Sequence, residues 1–233
     1  MTGLLRMNPL TAVGLLLHVN RDPPDFLGSC FAFRRQTHFL TAAHCIGTLA
    51  PKDLAVSVLH ATGTHAVETI HRHPKADLAI LALRGAVPDS DVFGPFGAVG
   101  LGQDFGAYGF PEDVFGVTAA PTARFFKGHI QRFTRHHSHQ GYEYTALEMS
   151  IGAPAGLSGG PVFLPHLPWL ILGILTENHR STTFLQSVQE IQEGSAVYKE
   201  VVHEAINYGL ALLLRTETDF LDAYIPVVQS PSK

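Results

Sequence analysis

Residues 152–161 have the sequence Gly152-Ala153-Pro154-Ala155-Gly156-Leu157-Ser158-Gly159-Gly160-Pro161, which sets one serine among four glycines. Apolar runs flank this stretch on both sides. A serine hydroxyl is a weak nucleophile unless a general base lies beside it. If Ser158 is reactive, the rest of the chain must therefore supply that base and a group to orient it.

Two upstream motifs supply those groups. TAAHC at 41–45 offers His44 as the base, and DLAIL at 77–81 offers Asp77 at the mouth of a buried strand. The order histidine, aspartate, serine is that of the chymotrypsin-type triad and differs from the subtilisin and α/β-hydrolase orders. His44 would take the Ser158 proton and return it to the leaving amine, while Asp77 would hold the imidazole tautomer.

Together, TAAHC, DLAIL and GLSGGP resemble the trypsin/chymotrypsin superfamily, and more narrowly its bacterial HtrA-like branch of trypsin-like peptidases. The resemblance runs from about Ala12 to about Tyr224. It implies one all-β domain of two six-stranded antiparallel β-barrels with a cleft between them. Residues 10–90 would form the first barrel, 96–214 the second and 217–224 a short C-terminal helix. No PDZ-like extension is expected after that helix.

The glycines beside the serine have a predicted purpose in such a protein. The backbone N–H groups of Gly156 and Ser158 would form the oxyanion hole, because glycine lets the loop turn an N–H inward. Gly159 and Gly160 would allow neighbouring backbone to approach closely. The loop is thus predicted to bind the negative charge that develops on a substrate carbonyl.

The resemblance also implies a specificity pocket beside Ser158. The predicted substrate-binding residues are Gly152, Ala153, Pro154, Thr176, Asn178 and Gly209. Trypsin has a carboxylate where this chain has Gly152, so a small or apolar P1 residue is expected, with a broad preference, because one methylene is worth only about 1–3 kcal/mol. Glu177 at the rim offers an alternative, the attraction of a basic P1 or P3 residue. Thr176 aligns with a hydroxyl residue that often hydrogen-bonds the triad aspartate.

Activation by N-terminal cleavage is not expected. Trypsin-type enzymes have an aspartate directly before the serine, which pairs with a newly cut N-terminal amine, whereas this chain has Leu157. It also has no Ile-Val-Gly-Gly segment near its start. Either the protein folds in an active form, or loops order the oxyanion hole when a signal arrives.

The segment 177–207 is polar, lacks strand-like alternation and resembles an insertion. The i,i+4 spacing of Val201 with Ala205 and of Val202 with Ile206 predicts that part of it is helical. Because it separates two strands that would wall the pocket, we expect it to cover or regulate the cleft.

Three further local predictions concern the second half of the chain. Residues 114–119 are predicted to form a strand and 135–141 a polar loop. Thr216 and Asp219 resemble a loose capping box at the start of the terminal helix.

Composition excludes several classes of partner. The formal net charge of the 233 residues is −4, with no long run of one sign, which argues against nucleic acid or an anionic membrane surface. The apolar run 10–19 is too short to span a bilayer and makes a poor signal peptide, so a cytoplasmic location is expected. No cofactor and no metal are expected, because His136, His137 and His139 have no cysteine or carboxylate pattern nearby and are interpreted as a solvated loop.

Cys30 and Cys45 are the two cysteines. Chymotrypsin-like proteases often have a disulfide that joins the strand before the histidine to the residue after it. Two free thiols in neighbouring strands are slightly favoured, since the chain has no clear export signal. The sequence leaves both possibilities open.

The function that these residues predict is that of a serine endopeptidase. It would hydrolyse protein or peptide substrates, among them one dedicated substrate or regulator, through a Ser-His-Asp triad and an acyl-enzyme intermediate. Two alternatives remain: a catalytically silent binding or regulatory protein with the protease fold, and an esterase with the same machinery.

Overall fold

The computed structural model describes residues 8–112, 122–191 and 197–227, and only the backbone within 182–205. In those ranges most of the regular secondary structure is β-strand, as predicted, with three short α-helices. The strands are β1 (Val13–His18), β2 (Asp25–Phe33), β3 (Arg35–Thr41), β4 (Leu54–Val58), β5 (His65–Arg72), β6 (Ala79–Leu83), β7 (Asp104–Gly109), β8 (Arg124–His137), β9 (Glu143–Met149), β10 (Pro161–Leu164), β11 (Leu167–Ile191) and β12 (Val197–Leu213). The helices are α1 (Pro9–Ala12), α2 (Ala43–Ile46) and α3 (Thr218–Tyr224).

Strands β1 to β6 form a closed antiparallel barrel in the order β1-β2-β3-β6-β5-β4. Strand β1 closes it, because it pairs with β2 on one side and with β4 on the other. Successive side chains of a strand point to opposite faces. Leu16, Ala32 and Phe39 therefore fill the barrel, while Phe31 and Leu40 point outward and pack against the second sheet.

Strands β7 to β12 form the second sheet, in the order β10-β11-β12-β9-β8-β7. The sheet closes into a ring because Val162 and Phe163 of β10 pair with β7. A layer of aromatic side chains joins it to the barrel. The ring of Phe93 lies 5.3 Å from that of Phe31 and 5.5 Å from that of Phe163. This chymotrypsin-like arrangement places the loops that bear the predicted catalytic residues along one seam.

The predicted helix within 177–207 is wrong. Strands β11 and β12 continue through this segment as a long antiparallel hairpin, paired from Gly173↔Leu213 to Ile191↔Val197. The pairing of β10 with β11 ends at Ile174, and that of β9 with β12 ends at Gly209. Beyond those points the two strands pair only with each other among the described residues. No core therefore imposes strand alternation there, and the absence of alternation had favoured a helix.

Other local predictions have mixed outcomes. Residues 135–137 belong to β8, so the expected polar loop begins only at Ser138. The terminal helix α3 forms as expected, but Thr216 does not cap it, since its hydroxyl donates to the Leu213 carbonyl (2.7 Å). The strand expected at 114–119 lies outside the described residues.

Both cysteines are free thiols, and the structure shows why. A Cβ placed on Gly28 would lie 2.8 Å from the Cys45 sulfur, so the residue that faces Cys45 is Gly28 and not Cys30. The Cys30 thiol is buried and faces the Gly14 carbonyl (3.5 Å). Among the described residues, no helix has the length and apolar character needed to cross a bilayer.

Candidate active site

His44 and Asp77 form a tightly bonded pair at the seam. His44 lies in α2 directly after β3, and Asp77 lies in the turn before β6. The Asp77 carboxylate accepts the backbone N–H of His44 (2.8 Å) and lies 2.6 Å from its ring Nδ1. Asp77 is 2% exposed, so this carboxylate has little access to water. The two bonds fix the imidazole and leave Nε2 as the nitrogen able to exchange a proton with a ligand.

A second histidine, to which the sequence analysis assigned no role, holds the turn that presents Asp77. The Nδ1 atom of His73 accepts the backbone N–H groups of Ala76 (2.7 Å) and Lys75 (3.1 Å). Because Nδ1 accepts, the ring proton lies on Nε2, which is 3.2 Å from the Glu217 carboxylate. The only signal in the sequence was the position of His73 four residues before Asp77.

Burial and hydrogen bonding act in opposite directions on His44. Burial disfavours the imidazolium and lowers its pKa, but the bonds and charges of Asp77 and Cys45 outweigh burial and raise the pKa to about 10. The Cys45 sulfur lies 3.6 Å from Nε2. At neutral pH the pair is therefore poised as imidazolium and carboxylate.

Ser158 lies at the same seam, but no hydrogen bond joins its hydroxyl to His44 among the described residues. The hydroxyl donates to the Thr176 carbonyl of β11 (2.8 Å). The Ser158 carbonyl lies 3.7 Å from the Cys45 sulfur, the atom that also faces His44 Nε2. The structure thus brings all three predicted residues to one seam. In this structure the Ser158 hydroxyl is bonded to Thr176 and not to the imidazole of His44.

The loop before Ser158 has the features of an oxyanion hole. The Ala155 carbonyl accepts the Glu112 N–H (2.7 Å), and the Leu157 carbonyl accepts the Gly160 N–H (2.8 Å). In a trans peptide the N–H points opposite to the C=O, so these bonds direct the Gly156 and Ser158 N–H groups the other way. Neither N–H has a partner within the part of the chain that the structure describes. Both are therefore available to a developing oxyanion.

Glycine is required at position 156 for two reasons. Its φ is +90°, a conformation that other residues rarely adopt. A Cβ there would also lie 2.5 Å from the Phe110 carbonyl oxygen and 2.7 Å from the Glu112 nitrogen. A side chain at this position would therefore displace the segment that anchors the Ala155–Gly156 peptide.

Most of the predicted substrate-binding residues are linked by hydrogen bonds and close contacts between β11, β12 and the loop before Ser158. The side-chain amide of Asn178 accepts the Ala153 N–H (2.6 Å) and donates to the Ala153 carbonyl (2.6 Å). Gly209 donates its N–H to Ile151 (2.7 Å), and a Cβ on Gly152 would lie 3.6 Å from the Asn178 amide oxygen. The Pro154 carbonyl accepts the Leu157 N–H (3.2 Å), which turns the chain toward Ser158.

Thr176 differs from its expected role. Its hydroxyl donates to the Leu210 carbonyl (3.1 Å) and accepts the Tyr144 hydroxyl (2.9 Å). No hydrogen bond joins it to Asp77 in the described residues. The reason is that its one proton goes to β12, while its carbonyl receives Ser158.

A cluster of polar side chains next to Thr176 was not predicted from the sequence. His136 of β8 hydrogen-bonds the Glu177 carboxylate through Nε2, and the same Glu177 oxygen lies 3.3 Å from the Tyr144 hydroxyl. His136 is therefore a strand residue paired with Glu177 and not a solvated loop residue. No group of three or more His, Cys, Asp or Glu side chains suited to a metal occurs among the described residues.

The fold and the arrangement of the site are those of the chymotrypsin-like class of proteins. The family model of the trypsin-like peptidase domain matches residues 28–174, more than half of the sequence. The chain belongs to this family, which confirms the resemblance inferred from the motifs and supports a protease. No curated protein matches the chain.

Solved structures share the fold at low identity. The active form of the Rv3671c protease from M. tuberculosis has a TM-score of 0.62 at 17% identity, over 96% of this chain and 85% of that one. The HtrA-type protease AlgW with tripeptide has a TM-score of 0.62 at 18% identity, over 94% of this chain and 61% of that one. The apo MamO protease domain from Magnetospirillum magneticum has a TM-score of 0.63 at 16% identity, over 94% and 99%.

Proposed function

We propose that the protein is a serine endopeptidase that hydrolyses protein or peptide substrates through an acyl-enzyme intermediate, without a cofactor. The observation that supports this most is the pair of hydrogen bonds between Asp77 and His44. A buried carboxylate bonded to both the backbone and the ring of a histidine fixes the tautomer that a general base needs. The free N–H groups of Gly156 and Ser158 supply the second requirement, a site for the oxyanion.

The reaction begins with rotation of the Ser158 side chain from the Thr176 carbonyl to His44 Nε2. The hydroxyl oxygen attacks the scissile carbonyl carbon, Nε2 takes the hydroxyl proton, and the Gly156 and Ser158 N–H groups bind the resulting oxyanion. When the intermediate collapses, the peptide C–N bond breaks and the leaving amine takes the proton from Nε2. Water then attacks the acyl ester and gives a proton to His44; the ester C–O bond breaks, the Ser158 oxygen takes that proton from Nε2, and the acid is released.

The position of the Asn178 side chain favours a small P1 side chain. The Asn178 amide spans from β11 to both backbone polar groups of Ala153, so it occupies the depth that a large P1 side chain would need. The glycines at 152 and 209 leave no charged group in this region. We therefore propose alanine-sized P1 residues in place of the broad apolar preference.

A second candidate function has one observation in its favour. The Ser158 hydroxyl is bonded to Thr176, and a thiol faces His44 Nε2, so the resting arrangement lacks a serine–histidine hydrogen bond. A protein that kept this arrangement on binding a peptide would be a silent binding or regulatory protein. The two candidates differ in whether Ser158 reacts.

An active-site probe tests the proposal. A fluorophosphonate should label the wild-type protein and not the Ser158→Ala variant, because the probe reacts only with a serine whose proton a base can accept. Ser57→Ala, which removes a hydroxyl from β4, is the matched control and should label like the wild type. A folded wild type that stays unlabelled throughout the range from pH 5 to 10 would contradict the protease and leave the binding protein. Matched ester and amide substrates then distinguish an esterase.

The rate should increase with pH well above neutrality. General-base catalysis needs neutral His44, and a pKa raised to about 10 moves the ascending limb of kcat/KM upward. Cys45→Ala removes one cause of the raised pKa, so its limb should shift to lower pH, whereas Cys30→Ala, which removes the other thiol, should not shift it. Profiles of kcat/KM from pH 5 to 10 measure this; coincident limbs for wild type and Cys45→Ala would contradict it.

A further inference from the structure

A cleft of about 180 Å³ lies directly beside the His44–Asp77 pair. It is bounded by that pair, by the β8–β9 turn at 138–140 and by Thr176 and Glu177 of β11. Among the described residues that line it, two are carboxylates and none is a lysine or arginine. Because the Asp77 carboxylate is paired with His44, the Glu177 carboxylate is the negative group that this lining offers to a ligand, and it lies next to the reacting atoms.

Glu177 is held so that one oxygen stays available. Its Oε1 atom is bonded by His136 and lies 3.3 Å from the Tyr144 hydroxyl. Burial raises the pKa of Tyr144 well above its usual range, so its hydroxyl stays neutral beside this carboxylate. The Oε2 atom has no hydrogen-bond partner among the described residues, and the Glu177 side chain is 31% exposed. The carboxylate is therefore fixed in orientation and partly open to the cleft.

The adjoining edge of β11 can receive an extended peptide. Strand β10 leaves β11 after Ile174, and the Thr176 carbonyl on this edge faces Ser158. A substrate that adds to this edge as an antiparallel strand places P1 opposite Thr176, P2 opposite Glu177 and P3 opposite Asn178. Directly opposite residues of an antiparallel pair have their side chains on the same face. The P2 side chain therefore enters the cleft beside Glu177.

From these contacts we infer that the cleft selects a lysine or arginine at P2, held by the Glu177 carboxylate. This inference rests on the proposed endopeptidase function, because it assigns a specificity-determining residue to that reaction. A long cationic side chain places its apolar stem against the walls and its charge at Oε2. Glu177 does not touch the reacting atoms, so it acts on substrate choice and not on the chemical step.

Three peptides that differ only at P2, with arginine, leucine or glutamate, test the inference on the full chain. The wild type should cleave the arginine peptide about tenfold faster in kcat/KM than the leucine peptide, with the glutamate peptide slowest. Glu177→Gln should bring the arginine and leucine rates together, and Glu177→Lys should make glutamate the preferred residue. Glu143→Gln, which removes an exposed carboxylate from β9, should leave the order unchanged.

Two results separate the failure of this inference from the failure of the proposed function. If the wild type cleaves the three peptides equally, or if Glu177→Gln keeps the arginine preference, the P2 assignment is wrong and the protease stands. If the wild type cleaves none and is not labelled by a fluorophosphonate, the proposed function fails. Binding to Ser158→Ala gives a readout without turnover, in which the arginine peptide should bind more tightly than the leucine peptide, and equal affinities would overturn the assignment.

Discussion

Replacement of Asp77 by asparagine is expected to lower kcat about 10⁴-fold, with a much smaller change in KM. Asp77 accepts both the backbone N–H and the Nδ1–H of His44, and only a carboxylate accepts at both oxygens. The asparagine NH₂ would donate toward Nδ1 and place the ring proton on Nε2. His44 could then no longer take the Ser158 proton, although the substrate would still bind.

The measurement is kcat and KM for an ester substrate, since an ester reports the reactivity of Ser158 with little demand on the leaving group. Asp104→Asn is a suitable control, because this aspartate lies on the surface of β7 and pairs with Lys127. It should keep full activity. A loss of less than tenfold in Asp77→Asn would mean that His44 is not oriented by Asp77 during turnover.

The placement of His44, Asp77 and Ser158 at one seam could be predicted because each lies in a short motif at the end of a strand. TAAHC follows β3, DLAIL begins just before β6, and GLSGGP leads into β10. The apolar content of these strands fixes where they are buried, and the local turn then fixes where His44, Asp77 and Ser158 emerge. The fold class followed from the same features.

The hairpin of β11 and β12 could not be predicted from its pattern. Strand alternation is a consequence of having one face against a core, and beyond Ile174 and Gly209 these strands pair only with each other among the described residues. The spacing of Val201 and Ala205 could therefore match a helix by coincidence. The pairing itself is a tertiary property that local spacing does not encode.

The orientation of the polar side chains in the site also could not be predicted from the sequence. His136 and Glu177 are 41 residues apart and meet only because their strands lie in one small ring. The Thr176 hydroxyl donates to the Leu210 carbonyl and not to the Asp77 carboxylate that the resemblance implied. Such choices depend on which carbonyl lies within about 3 Å, a distance that no motif specifies.

Gly159→Ala is expected to destabilise the protein by about 3–5 kcal/mol, among the largest effects of a single substitution. Gly159 has a φ of +87°, which alone costs a non-glycine residue about 1–2 kcal/mol. A Cβ there would also overlap the Ser29 carbonyl oxygen and lie 2.5 Å from the Thr41 hydroxyl. Neither neighbour can move freely, because the Thr41 hydroxyl donates to that same Ser29 carbonyl (2.9 Å).

Gly141→Ala is the matched control for this prediction. Gly141 has nearly the same backbone conformation, with a φ of +86°, but an added Cβ would meet nothing within 4 Å. The Gly141→Ala variant should therefore lose only the conformational cost of a positive φ, about 1–2 kcal/mol of the free energy of unfolding. Urea unfolding of both variants and the wild type measures the difference in the free energy of unfolding. Similar losses in the two variants would mean that close packing at Gly159 contributes nothing.

Gly159 also lies where the serine loop is attached to the first barrel. Ser29 of β2 donates its N–H to the Ser158 carbonyl (2.8 Å) and its hydroxyl to the Gly156 carbonyl (2.9 Å). A Cβ at Gly159 would push against this strand and displace the residues that hold the nucleophile and the oxyanion site. Gly159→Ala should therefore lose fluorophosphonate labelling even at temperatures where it remains folded, whereas Gly141→Ala should keep it.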